Sequence, residues 1–294
     1  MAIYNGDGTI FWDIGEDPTY SGVACVNAFL EAMNAKAVSI GMTNSNFIRA
    51  AGDGANQTTP KDMVLLTLIA SSYKELSEIW SKNSYSCTPR NSGASKVSFN
   101  TTVKDTTLES SYPILGGKTG HWGSSHALAC ICDVDGKQVA GYIHGTDDNQ
   151  TTDRFGAMKQ LMDIANTILS GGTNTNTVDK ADEAIAVLVP TYFTANYEQQ
   201  PMNVLYAQNE NNVIVPASTT KMLTALTVLD WIPDINDTFT FVQRDMIGGS
   251  GAVFSVGDIV SFKDALYALM LPSSNQSAQA MARVVGRKIL TNKG

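Results

Sequence analysis

Ser218 and Lys221 stand three positions apart in Pro216-Ala217-Ser218-Thr219-Thr220-Lys221-Met222-Leu223. A hydroxyl held beside an amine can act as a serine nucleophile with a lysine base, provided the amine can lose its proton. Asn212-Val213-Ile214-Val215 reads as a strand leading in, and Met222, Leu223, Leu226 and Leu229 continue as a helical apolar pattern. Ser218 is therefore predicted at a helix start, where backbone N–H groups lack partners. Lys221, one turn on, shares its face. By itself the spacing is weak. About one Ser-x-x-Lys is expected by chance in a chain of this length, and Ser71-Ser72-Tyr73-Lys74 repeats it inside an otherwise ordinary helical pattern. The plain alternative is an N-cap serine followed by a solvated lysine.

Two further groups could serve such a nucleophile. Lys118-Thr119-Gly120 precedes a hairpin and would offer an ammonium and a hydroxyl to a carboxylate, with a glycine that admits close backbone approach. A solvated lysine in a turn is the plain alternative. Ser273-Ser274-Asn275 lies between two helical patterns and would project a hydroxyl and an amide from a loop. Ser81-Lys82-Asn83 and Ser98-Phe99-Asn100 share its spacing, so it says little alone. The three histidines, His121, His126 and His144, have no spacing that establishes a triad, because triads are recognised by geometry. No zinc-binding His-Glu-x-x-His and no glycine-rich phosphate loop is present, so neither a metal nor a cofactor is expected. Cys130 and Cys132 face one side of an apolar strand, while Cys25 and Cys87 stand alone. All four read as small buried hydrophobes, with a disulfide left open.

The elements around these residues are legible from periodicity. Gly22 to Ile40 is helical, with Gly41 as its stop. Thr59-Pro60-Lys61-Asp62 opens a second helix running towards Trp80: threonine caps, proline suits the first position and aspartate the first turn. Residues 84–110 look strand-rich, with Val97 to Asn100 a candidate strand. Ala127 to Cys132 and Lys137 to Ile143 are strands joined at Asp135-Gly136, a strong hairpin signal. Asp153 to Leu169 is an amphipathic helix. Ser170 to Thr177, with no apolar residue, reads as a flexible linker. Ala184 to Val189 and Val204 to Ala207 are a further strand pair. Val260 to Leu271 and Ser277 to Ile289 are helical, and residues 1–20 irregular.

Bulk properties bound the class. The chain has 294 residues, 43% of them hydrophobic, enough for a full core. A net charge of −8 and a pI near 4.8 argue against a nucleic-acid partner. No run is long and apolar enough for a membrane span, and no basic-then-apolar leader opens the sequence.

Taken together, Ser218-x-x-Lys221, Ser273-x-Asn275 and Lys118-Thr119-Gly120 resemble the motif set of penicillin-binding proteins and serine β-lactamases. Their flanks resemble the low-molecular-weight D-alanyl-D-alanine carboxypeptidases: Leu271-Pro272 before the second motif, Gly116-Gly117 before the third, and Met33-Asn34-Ala35-Lys36 and Thr58-Thr59-Pro60-Lys61 in the helices. The resemblance departs in one respect. The family places Lys-Thr-Gly last, whereas here it comes first, and reading the chain as a ring restores the order. The resemblance therefore implies a circularly permuted α/β (α+β) fold, with a five-stranded antiparallel sheet, flanking helices and an all-helical subdomain. The helical part would take about 20–80 and 218–294, the sheet about 85–169 and 178–215, with 170–177 joining the original termini. It implies Ser218, Lys221 and Ser273 as catalytic residues, and Asn275, Lys118, Thr119 and Gly120 as substrate-binding ones. Backbone N–H groups of Ser218 and His121 would form the oxyanion hole. The implied partners are peptidoglycan stem peptides and β-lactams, met outside the cytoplasm by a monomeric, metal-free enzyme. A β-lactamase or a non-turnover penicillin sensor shares the motifs.

Overall fold

A computed structural model describes residues 3–4, 10–11, 21–52, 56–147, 153–190, 201–251 and 253–293. The first elements are β1 (Ile3–Tyr4), β2 (Ile10–Phe11), α1 (Gly22–Ser39), α2 (Pro60–Ser72), α3 (Lys74–Trp80), β3 (Ser84–Cys87), β4 (Val97–Asn100) and α4 (Thr106–Ser111). Next come β5 (Ile114–Trp122), β6 (Ser125–Val134), β7 (Lys137–Asp147), α5 (Asp153–Leu169), β8 (Glu183–Leu188) and β9 (Asn203–Gln208). The chain closes with α6 (Lys221–Trp231), β10 (Thr238–Thr240), β11 (Ile259–Ser261), α7 (Phe262–Met270) and α8 (Asn275–Lys293).

The sheet that matters for the site has the order β5-β6-β7-β8-β9, antiparallel throughout. Its period-two alternation splits the core in two. Ala127, Ala129 and Ile131 of β6 face one cluster, shared with α1, α2, α6, α7 and α8. Leu128, Cys130 and Cys132 face the other, beneath α5. Covered on both faces, β6 is buried along most of its length, while β5 is left as an edge strand. The hairpin between β6 and β7 turns at Asp135 (φ 52°) and Gly136 (φ 77°), the two positive dihedrals of a two-residue turn. The helix starts follow the sequence: Ser21 Oγ accepts from Ala24 N, and Thr59 Oγ1 from Asp62 N, with Pro60 in the first position.

Several expectations are revised. The helix from Thr59 towards Trp80 breaks at Tyr73, whose ψ of 119° is extended, giving α2 and α3. Residues 84–100 form a separate two-stranded ribbon rather than joining the five-stranded sheet, which begins at Ile114. Tyr85 explains the placement: it stacks on Tyr267 of α7 at 3.8 Å and donates to Asp264 at 2.7 Å. Asn212 to Val215 is not a strand. Ile214 alone bridges Thr58, because the chain then turns at once through Pro216 and Ala217. The irregular reading of residues 1–20 falls largely outside the described residues, within which β2 runs parallel to β10. The four cysteines are free thiols, Cys130 and Cys132 lying 3.6 Å apart at sulfur. Among the described residues no helix is long and apolar enough to cross a membrane.

Candidate active site

Ser218 sits in a 3-10 turn, Ala217–Thr220, and Lys221 is the first residue of α6. The tighter turn replaces the expected α-helical first turn, yet the spacing still meets. Lys221 Nζ lies 2.8 Å from Ser218 Oγ. The ammonium end is fully buried and has two other oxygens near it, Ala51 O at 2.7 Å and Asn275 Oδ1 at 2.8 Å. Carbonyl oxygens only accept, so these two hold the amine's N–H donors. The third direction faces a hydroxyl, which can donate as well as accept. A neutral amine would therefore turn its lone pair on the Ser218 proton.

The second motif divides its work among three residues. Ser274 Oγ accepts from Ser277 N and caps α8. Ser273, just outside the helix, has φ of 69°. Asn275, the first helical residue, uses Oδ1 for Lys221 and donates Nδ2 to Gly248 O at 3.1 Å. The Ser273 hydroxyl accepts from Lys118 Nζ at 2.9 Å, which joins the second motif to the third across the cleft. Lys118 also donates to Thr119 O and is fully buried. Burial, then the charges of Lys221 and Arg154, hold its amine well below the ordinary lysine range. Thr119 Oγ1 meets Thr102 Oγ1 at 2.7 Å.

Gly120 is where β5 passes closest to the nucleophile turn. A Cβ there would lie 3.0 Å from Pro216 O and 3.2 Å from Thr219 Cγ2. Gly52 has the tighter constraint: its φ is 80°, and a Cβ would come within 2.0 Å of Ala217 O. Ala217 itself has φ of 50°. The other non-glycine residues with positive φ among those described are Asp135 and Asn209, types that tolerate it in turns. Ala217 and Ser273 have no such tolerance, and both flank the reacting groups, where stored backbone strain concentrates.

Ser218, Lys221, Ser273, Asn275 and Lys118 thus meet through these contacts, with Gly120 passing beside the nucleophile turn, whereas the Thr119 side chain bonds Thr102 and touches none of them. His121 continues β5 past Gly120, with its side chain exposed and its Nε2 2.9 Å from Gly123 O. Its expected contribution is a backbone N–H, which its place on the edge strand allows. Sequence reading missed three contributors. Ala51 supplies a carbonyl, and a backbone acceptor has no side-chain signature. Asn56 is fully buried and fixes that carbonyl's segment: Oδ1 accepts from Ile48 N and Arg49 N, and Nδ2 donates to Arg49 O and Thr220 Oγ1. Arg154, at the start of α5, donates to Gly120 O at 3.1 Å and brings a buried cation to the third motif. No group of three or more His, Cys, Asp or Glu placed to hold a metal occurs among the described residues.

Residues 194–288 match a family model described as D-alanyl-D-alanine carboxypeptidase. No curated protein and no solved structure matches. The matched segment contains Ser218, Lys221, Ser273 and Asn275. Lys118 lies outside it, so its 2.9 Å contact with Ser273 comes from the fold and is independent of the match.

Proposed function

We propose that this chain removes the terminal D-Ala of peptidoglycan stem peptides through an acyl-enzyme on Ser218, a reading supported by the match of residues 194–288, which carry Ser218 and Ser273, to the D-alanyl-D-alanine carboxypeptidase model. Lys221 takes the Ser218 proton as Oγ attacks the carbonyl of the penultimate D-Ala. The resulting oxyanion is met by backbone N–H groups of Ser218 and His121. The terminal carboxylate is held by Lys118 and Thr119, with Arg154 adding positive charge behind Gly120. Ser273 returns a proton to the departing D-Ala nitrogen, Asn275 orients the substrate amide, and water then hydrolyses the ester. β-Lactams would acylate the same oxygen.

The observation that carries this reading is the Lys221 amine, buried and in contact with Ser218 Oγ at 2.8 Å. A solvated lysine would be protonated and useless as a base. Its environment is a buried one instead, with the amine held between Ala51 O and Asn275 Oδ1 and turned on the Ser218 hydroxyl. The sequence lacks a Glu-x-x-x-Asn segment where a β-lactamase would supply its deacylating base, which favours the peptidase over that relative. Such an enzyme works on the wall, so its place is outside the cytoplasm, and the reading takes it as a monomer. The motif order is read as a rotation of the family's chain, with residues 170–177 joining α5 to the segment before β8. Mass spectrometry after penicillin treatment, followed in time, tests the assignment. A single adduct on the peptide containing Ser218, together with D-Ala release from a D-Ala-D-Ala peptide, is expected. An adduct elsewhere, or none, overturns it. A stable adduct without D-Ala release would make the chain a penicillin sensor.

A further inference from the structure

His144 carries a second constellation, apart from the groups assigned above. It lies on the cleft face of the sheet, in the cross-strand row Gly120, Ala127, His144 and Glu183. Its Nδ1 is 2.8 Å from Glu183 Oε2, and its Nε2 is 3.1 Å from Ser125 Oγ. A carboxylate oxygen can only accept, so Nδ1 carries a proton, and in the neutral ring Nε2 then presents its lone pair to the hydroxyl. The second carboxylate oxygen, Oε1, accepts from Asn212 Nδ2 at 3.1 Å. Burial pushes the Glu183 pKa up, but the bonds from His144 and Asn212 outweigh it and leave the group below its ordinary value. Exposure increases along the set: Glu183 is buried, while His144 and Ser125 are half-buried. A buried, doubly held anion, an oriented imidazole and a reachable hydroxyl are the parts of a nucleophile, its base and the base's support.

We propose that Ser125, His144 and Glu183 form a second nucleophilic site, acting on small acyl esters with aryl leaving groups. Trp122, the cross-strand neighbour of Ser125, is 46% exposed and offers the apolar surface that an aryl group would cover. An aryloxide leaves readily, so this class places the least demand on the half-buried hydroxyl and imidazole. Ser125 Oγ bonds to the acyl carbon while its proton passes to His144 Nε2. The bond to the aryloxide breaks, and that proton follows the leaving oxygen. Water, deprotonated by His144, then cleaves the acyl ester, releasing the carboxylic acid and restoring the Ser125 hydroxyl.

The test uses the full chain carrying Ser218→Ala, which silences the cleft, with p-nitrophenyl acetate and a fluorophosphonate probe. Ester hydrolysis above the uncatalysed rate and a phosphonyl adduct mapped to Ser125 are expected. Adding Ser125→Ala should remove the adduct and lower the hydrolysis at least tenfold. His144→Gln, which leaves the serine in place, should lower both, so the outcome stands even where one variant folds poorly by circular dichroism. Absence of an adduct on Ser125, or hydrolysis unchanged by both substitutions, overturns the proposal. The set would then be a cross-strand hydrogen-bond network and nothing more.

Discussion

The chain contains Ser-x-x-Lys at Ser71–Lys74 and at Ser218–Lys221, and the two have nothing in common beyond spacing. Ser71 lies in the last turn of α2, with its hydroxyl donated back to Leu68 O at 2.7 Å. Tyr73 breaks the helix, and Lys74 begins α3 with its side chain 85% exposed, near Glu78. Hydroxyl and amine therefore belong to different helices and never meet. At the other copy the turn is continuous, the amine is fully buried, and three oxygens surround it. A short motif sets which atoms are available. Burial and neighbours set whether an amine is a spectator or a base.

The sharpest way to break this contrast is at the hydroxyls. Ser218→Ala should abolish labelling by a fluorescent penicillin, whereas Ser71→Ala should leave it unchanged. Gel fluorescence reads both, and residual labelling of the first variant would mean that Ser218 is not the nucleophile. The amines come next. Lys221→Met should slow acylation by about 10²–10⁴-fold, the usual worth of a positioned base. Lys74→Met removes only an exposed i,i+4 pair and should shift stability by less than about 0.5 kcal/mol. Stopped-flow acylation and thermal melts separate the two, and equal effects would remove the distinction drawn from burial.

A smaller effect is expected behind the nucleophile. Gly52→Ala should cost about 1–3 kcal/mol of stability, since a methyl group must displace the carbonyl of Ala217. It should also slow acylation, because that carbonyl precedes Ser218. Unchanged melting and kinetics would show that the turn yields freely. The smallest signal concerns protons. The depressed pKa of Lys118 means that, between it and the usual 10.5, the free folded protein holds less than the full proton. A bound carboxylate pulls that pKa up, so ligand binding should take up protons, more so as pH rises through this window. Calorimetry in buffers of different ionisation enthalpy measures the uptake, which Lys118→Met should eliminate. Uptake that survives this substitution would point to another group.

Much of this was readable beforehand. The three motifs and their flanks carried the fold class, because side-chain identity at fixed spacing is what a sequence records. The helix start at Thr59 and the Asp135-Gly136 turn were visible for the same reason. What stayed hidden was supplied by backbone or by tertiary meeting. The Ala51 carbonyl has no residue-specific sign. Asn56 matters only through the loop it ties. The break at Tyr73 overrides a helical pattern continuing on both sides. Glu183 and Ser125 sit 58 residues apart in the chain and meet through His144 only once β6, β7 and β8 are in register.

The distances along the chain at the site have a consequence for how the protein acquires it. The Lys221–Ala51 contact spans 170 positions, and Lys118–Ser273 spans 155. Loop-closure entropy grows only logarithmically, by about 0.6 kcal/mol per doubling of length, so such separations weigh little on equilibrium stability. They weigh on rate, because non-local contacts are slow to form while helices and the β6–β7 hairpin close locally. Competence for acylation should therefore appear after most helical signal has returned during refolding. A pulse of fluorescent penicillin would then time the final closure of the chain upon itself.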